Sequence, residues 1–349
     1  MVLTKGAAPK ASDDIMEKEN LFKIAPLDIN YLENNLDIIA REFLNLFEYR
    51  EFSDDQLRLN HLNKLKTLIA NDNNFSISLI KDDFLKGYML IEYMPYDSEI
   101  FGFSVYRISD FCFFGKDYFE NEYIIQSLLD ELGNRINALN IKYLTISINA
   151  NIPISNLFFN SLMKNNFYYI HTLITFKMAK EEFSHAELCK QKIKNVRIRL
   201  ARKEDRDALA EIARKSYKIN RFHLDRNLNK EKCDLLHAKS IENSLLHGFA
   251  DVIFVAEYKN EVVGYYSGKK NFNPILQVTL GNAISSAVSE KTRGLGIFSL
   301  MNNSLLEWFY HNTDIAEMGT YITNIPVHKT WTSNALSIIR GSYQLAKYY

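Results

Sequence analysis

Apolar residues along this chain keep two rhythms. Phe75, Ile77 and Leu79 alternate with serines, the period of a half-buried strand. Apolar runs over 88–92, 142–148, 167–177, 196–201, 280–288, around 319–323 and over 337–347 predict further strands. Residues 253–256 and 262–266 flank Lys259-Asn260 and predict a hairpin. Helical spacing appears at Leu32, Leu36, Ile39, Phe43 and Phe47, which predicts one helix there. A second follows through Leu62, Leu65 and Ile69, behind the acidic pair Asp54-Asp55. Helices are also predicted over 118–139, over 208–217 and around Ile241-Glu242-Asn243. In the last helix, Ile297, Leu300, Met301, Leu305 and Trp308 line one face, with Ser299, Asn302, Asn303 and Glu307 on the other. The segment Pro95-Tyr96-Asp97-Ser98-Glu99-Ile100-Phe101-Gly102 reads as a turn entering a strand.

The pattern repeats itself once. Asn151-Ile152-Pro153-Ile154 is followed by Phe158 and then by a strand. Asn324-Ile325-Pro326-Val327 is followed by Trp331 and then by a strand. In both places an aromatic lies seven residues after the asparagine. Two halves of common ancestry explain this. Residues 179–195 are charged and read as the linker. The expected division is a flexible leader over 1–26, a first domain over 27–182 and a second over 183–349.

Composition narrows the function classes. A chain of 349 residues favours two domains, and 47% hydrophobic content is ample for their cores. Lys+Arg and Asp+Glu are both 42, a net charge of +0 that argues against a nucleic-acid surface. Cys112, Cys189 and Cys233 are scattered, with no CxxC pair, so neither a disulfide framework nor a zinc site is indicated. A reducing cytoplasm is the expected home. No apolar run approaches ~18 residues and no signal-peptide core is present, so membrane insertion is not expected.

The chemistry concentrates in Val288-Ser289-Glu290-Lys291-Thr292-Arg293-Gly294-Leu295-Gly296-Ile297-Phe298, which reads as strand, glycine turn and helix start. A helix start offers unpaired N–H groups and a positive dipole end, and glycines let a ligand approach them. The stretch is a candidate pyrophosphate cradle. It is not GxGxxG, since Ser299 stands at the third position, and it is not GxxxxGK. It resembles the acyl-CoA turn of the GNAT acyltransferase superfamily, Gln/Arg-x-x-Gly-x-Gly/Ala, with Lys291 in place of the first residue. From Val196 onward the order of elements is similar to that of a GNAT domain.

Residues 97–102, Arg221-Phe222, Ile241-Glu242-Asn243, 293–296 and Asn324-x-x-Val327 resemble the sugar-nucleotide branch of that superfamily, the bacterial TDP-fucosamine N-acetyltransferases. The resemblance implies an α/β (α+β) tandem GNAT fold: a mixed central sheet flanked by helices, with a degenerate first half. It implies acyl transfer from acetyl-CoA, without a metal, to the amine of a dTDP-amino sugar in surface-polysaccharide assembly. Ala287 and Val288 would pair with the pantetheine arm. Arg293, Gly294, Leu295, Gly296 and Ile297 would hold the pyrophosphate, and Asn324 would lie near the acyl-CoA arm. Arg221, His223, Asp225 and Glu242 would face the acceptor. Two family positions differ. Trp331 stands where relatives carry a tyrosine acid, and an indole N–H is no practical acid. Tyr321 on the preceding strand is the substitute candidate. Ala335 stands where the family has glycine after that helix. Another small amine as acceptor, a CoA-binding pseudoenzyme and a homodimer all remain open at this point.

Overall fold

The computed structural model describes residues 22–44, 46–183 and 193–349. Most of the leader, most of the linker and Cys189 lie outside the described residues. The strands are β1 (Lys23–Ala25), β2 (Phe75–Lys81), β3 (Phe84–Tyr93), β4 (Val105–Phe113), β5 (Tyr143–Asn149), β6 (Tyr168–Ala179), β7 (Val196–Leu200), β8 (Val252–Tyr258), β9 (Glu261–Asn273), β10 (Val278–Val288), β11 (Ile315–Tyr321) and β12 (Ser337–Tyr348). The helices are α1 (Ile29–Asn34), α2 (Asp54–Ile69), α3 (Pro95–Phe101), α4 (Tyr118–Leu139), α5 (Ile154–Lys164), α6 (Arg206–Ser216), α7 (Arg221–Leu224), α8 (Lys230–Leu246), α9 (Ile297–Asn312) and α10 (Ile325–Ser333).

All twelve strands form one sheet, in the order β1-β2-β3-β4-β5-β12-β6-β11-β10-β9-β8-β7. Strand k of the first half and strand k+6 of the second occupy mirror places in that order. The repeat of Asn151 and Asn324 is therefore a repeat of architecture, with α5 and α10 as partners. The last strands are exchanged: β6 pairs with β11, and β12 pairs with β5. Each half thus completes the sheet of the other.

Alternation along the strands builds a layer on each face. Met89 and Ile91 of β3 pack with α4 and α5, whereas Tyr88 and Leu90 pack with α1 and α2. In the second half Tyr266 packs with α9 and α10, and Tyr265 with α6 and α8. Helix α9 lies close to the sheet because its partners are small. A Cβ on Gly281 would come within 2.6 Å of the Phe309 ring.

Two expectations are corrected. Apolar spacing predicts one helix through 32–47, yet α1 stops at Asn34. The Asn34 and Asn35 side chains donate to the carbonyls of Asn30 and Tyr31, which favours a turn, and only short 3-10 turns follow. The segment expected as a turn, 95–101, is the helix α3, which begins on Pro95 and ends at Gly102 with φ 73°.

Candidate active site

Strands β10 and β11 run parallel and pair only through Leu280↔Ile315, Gly281↔Ala316 and Asn282↔Glu317. Beyond that point they part. Strand β10 stays on β9 as far as Val288, with a bulge between Ala283 and Ser285, while β11 stays on β6 as far as Tyr321. A fork opens between them. Ser289 N–H donates to Val263 C=O at 2.7 Å, so strand alternation turns Ala287 toward β9, and Ser286 and Val288 toward the fork. On the α6 side, Tyr217 Oη donates to Ser286 C=O at 2.8 Å and Ser216 Oγ to Val288 C=O at 3.3 Å.

The cradle stands at the end of β10. After a 3-10 turn over Glu290–Thr292, Gly294 and Gly296 adopt φ 82° and 77°, and α9 starts at Ile297. Both glycines are in the left-handed region, where a side chain costs roughly 1 kcal/mol or more. The N-cap Gly296 offers no side-chain cap, and no described residue lies within 4 Å of a Cβ placed on Gly294. The first amides of α9 have no side-chain cap, and among the described residues Ile193 lies nearest the N-cap, 3.2 Å from a Cβ placed on Gly296. Arg293 reaches back to Ser216 C=O at 3.3 Å and pairs loosely with Glu290 at 3.8 Å. The same corner of the first half is closed. There Asp117 caps α4, accepting from Glu120 N–H at 2.8 Å, while Glu120 accepts from Lys116 N–H at 2.6 Å. Two carboxylates occupy the place a phosphate would take.

The residues named for the acceptor and for proton transfer divide: Arg221 lies beside Tyr321, while others are held by partners of their own. Asp225 is corrected: it is 1% exposed and accepts from Tyr143 Oη at 2.5 Å, Tyr168 Oη at 2.8 Å and its neighbour Asn227 N–H at 2.8 Å. It ties α7 to strands of the first half and has no free oxygen to offer a substrate. His223 is likewise spent, with Nε2 on Asp234 at 2.8 Å and Nδ1 on Asn220 at 2.9 Å. Glu242 pairs with Lys239 at 3.4 Å, and its charge acts on Tyr96 and Arg206, away from the fork. Arg221 pairs with Asp97 at 3.6 Å. Asn324 precedes α10 and donates to Thr320 Oγ1 at 2.9 Å.

Trp331 is also corrected. It is 2% exposed, packs on Phe176 with ring centroids 5.1 Å apart, and donates its indole N–H to Asn302 Oδ1 at 3.0 Å. That donor serves the α9–α10 contact, not the fork. Trp331→Tyr is therefore expected to bring no gain in acyl-transfer rate. It should lower stability by about 2 kcal/mol, through lost volume and an unpartnered Asn302, read by thermal melting beside a thiol-release assay. Ala335 has φ 63°, so the backbone keeps the left-handed turn that glycine would make without strain.

Tyr321 stands at the end of the strand that forms one side of the fork. It ends β11, burial raises its pKa, and Arg221 beside it pulls the other way. Around it stand residues that spacing did not single out. Tyr217 stacks on His237, ring centroids 4.1 Å apart, and burial pushes its hydroxyl up to about 12. His171 of β6 meets Tyr321 edge to face at 4.2 Å. Asn220 fixes two of the rings. Its Oδ1 accepts from Phe222 and His223 N–H, so its Nδ2 donates to His223 Nδ1 and, at 3.0 Å, to His237 Nε2. An acceptor Nε2 leaves the His237 proton on Nδ1, while His223 Nδ1 also lies 3.2 Å from Asn220 Oδ1.

Burial lowers His171 to about 4 and His237 to about 3, and it lowers buried His61 in the first half as well. The unfolded chain takes up protons near the ordinary histidine value while the folded chain resists them. Stability conferred by these neutral rings is complete above that value and is lost as pH falls through it. The melting temperature is expected to be several degrees lower at about pH 5 than at about pH 7.5, and His237→Gln should reduce the difference.

No family model matches the sequence, and no curated protein matches it. Solved structures do. The chain has the tandem GNAT fold. It is similar to a tandem GNAT protein from the clavulanic acid biosynthesis pathway, with TM-score 0.56, 11% identity, and coverage of 94% of this chain and 98% of that one. It is also similar to a GCN5-related N-acetyltransferase from Sphaerobacter thermophilus, with TM-score 0.61, 10% identity, and coverage of 94% and 95%. A third is the glucosamine N-acetyltransferase region of a fungal multi-domain GH3 β-N-acetylglucosaminidase, with TM-score 0.60 and 9% identity, covering 97% of this chain and 39% of that one. At these identities the likeness is one of fold. Among the described residues no helix is long and apolar enough to cross a membrane, and no group of three or more His, Cys, Asp or Glu is placed to hold a metal.

Proposed function

We propose that this protein is an acyl-CoA N-acyltransferase whose second half, over 183–349, holds acetyl-CoA in the fork between β10 and β11, and whose first half, over 27–182, is degenerate. The observation that carries the reading is the open start of α9. Its N-cap is a left-handed glycine with no side-chain cap, directly at the end of a strand that has left its neighbour. Oriented amides and a helix dipole there suit a pyrophosphate. From that point a pantetheine arm can run along β10 as an added strand, pairing with Ser286 and Val288. The Val288 N–H is then the donor for the oxyanion that forms when an amine attacks the thioester. Arg293 at the rim adds positive charge. In the first half, Asp117 and Glu120 oppose the same anion at the matching corner.

The acceptor is an amine, and an amino-sugar nucleotide is the class we propose. Two supports meet here. Residues 97–102 lie beside Arg221 in the fold, joining two segments that resemble the sugar-nucleotide branch. One structural neighbour is a glucosamine N-acetyltransferase. Calorimetric titration with acetyl-CoA, and then with dTDP-4-amino-4,6-dideoxygalactose onto the CoA complex, tests both levels. Binding of both is expected. Binding of CoA alone removes the sugar nucleotide and leaves another amine as acceptor. Absence of CoA binding removes the acyltransferase reading.

A further inference from the structure

His171 belongs to the first half by sequence, and by position it stands at the end of β11, the strand on one side of the fork. The strand exchange seats β6 beside β11, with Leu173↔Tyr321 in register, and His171 follows on the same face as Tyr321. The two rings meet at 4.2 Å and an interplanar angle of 79°. His171 is only 7% exposed, and its ring nitrogens meet no side-chain partner among the described residues, with only the Thr172 backbone beside the ring. A buried polar group left unpaired costs about 1–3 kcal/mol, so such a ring needs a reason to be there. His223 and His237, on the neighbouring elements, are both bonded to Asn220. Burial lowers His171 to about 4 against the pull of the Thr172 backbone, with a smaller contribution from the Arg221 charge, so the ring is neutral at physiological pH. A neutral imidazole carries one acceptor nitrogen and one donor.

We propose that His171 binds the acceptor amine: its unprotonated ring nitrogen accepts one N–H of the neutral amine and leaves the amine lone pair free for the thioester. The lone pair forms the C–N bond, the C–S bond breaks, and the proton lost by nitrogen balances the one gained by the thiolate. His171 is neutral before and after. The first half thus supplies an acceptor-binding residue to the second, which gives the strand exchange a part in the chemistry. This rests on the acyltransferase reading above.

Calorimetry on the full chain decides it. CoA is bound first, and dTDP-4-amino-4,6-dideoxygalactose, glucosamine and putrescine are titrated into the complex, which cannot react because CoA carries no acyl group. At least one amine is expected to bind. His171→Phe keeps a ring against Tyr321 and should weaken that amine by about tenfold or more while leaving the Kd for CoA unchanged. His171→Asn, whose amide lies near the ring's Nδ1, should recover part of the affinity. Equal amine affinity in wild type and His171→Phe, or no amine bound to the CoA complex, overturns the proposal and leaves the CoA site standing. A chain that does not bind CoA at all overturns the reading beneath it.

Discussion

Gly294→Asp is expected to weaken CoA binding by about a hundredfold or more and to leave the protein folded. Two costs add. Gly294 has φ 82°, and an L-residue there pays roughly 1 kcal/mol, which aspartate meets more easily than most residues. The new side chain meets no neighbour among the described residues, so their packing is undisturbed. The second cost is charge. A carboxylate near ~5 Å from a phosphate, in surroundings of intermediate dielectric, is repelled by about 3 kcal/mol, which is the hundredfold. The first half already displays the device, because its helix start is held by Asp117. Gly294→Asn separates the terms: it has a similar backbone cost and no charge, so it should lose several-fold only. Calorimetry with CoA, beside a melting curve, reads both. Unchanged affinity in the aspartate variant would sink the cradle assignment.

The glycine turn was legible because it is local. Glycines two apart, after an apolar strand and before an amphipathic helix, specify a turn and a helix start within one short stretch. The fork was half legible. Two strands at 280–288 and 319–323 are visible as apolar runs, but the point where their pairing stops depends on a bulge and on β6. One acceptor residue was misread for a physical reason. Charged residues in a polar segment look exposed, yet Asp225 is buried under three donors, two of them tyrosines of the first half. Trp331 matched a family position, while its environment, a core closed by Asn302, lay outside the motif. His171 carried no local signal at all. It reaches Tyr321 only because the last strands change places, and no periodicity encodes which neighbour a strand will choose. The 32–47 segment failed in the opposite way: apolar spacing was present, but asparagine side chains captured the carbonyls that a longer helix would need.

Tyr321→Phe should lower kcat by about a hundredfold while leaving the Kd for CoA unchanged. The thiolate that leaves needs a proton, and a positioned acid contributes roughly a hundredfold or more. Trp331 cannot supply it, with its N–H held by Asn302. Tyr321 stands at the end of the strand that forms one side of the fork, and burial raises its pKa, so the phenol keeps its proton across the working range. The sign of the shift fixes the pH behaviour. With Tyr321 as the acid, the rate shows no decline near neutral pH from loss of that proton, and the alkaline limb lies above the ordinary tyrosine value. Phenylalanine preserves the ring that packs on His171, so the change removes the hydroxyl and its bond to the Arg221 backbone. The measurement is thiol release with acetyl-CoA and whichever amine binds the CoA complex. A full rate in Tyr321→Phe would mean that the thiolate departs without an enzyme acid, which its low basicity, near a pKa of ~8.5 for a thiol, permits. Catalysis would then rest on the Val288 amide and on the placing of the amine alone. In that case the His171 substitution, not the tyrosine, should carry the larger loss.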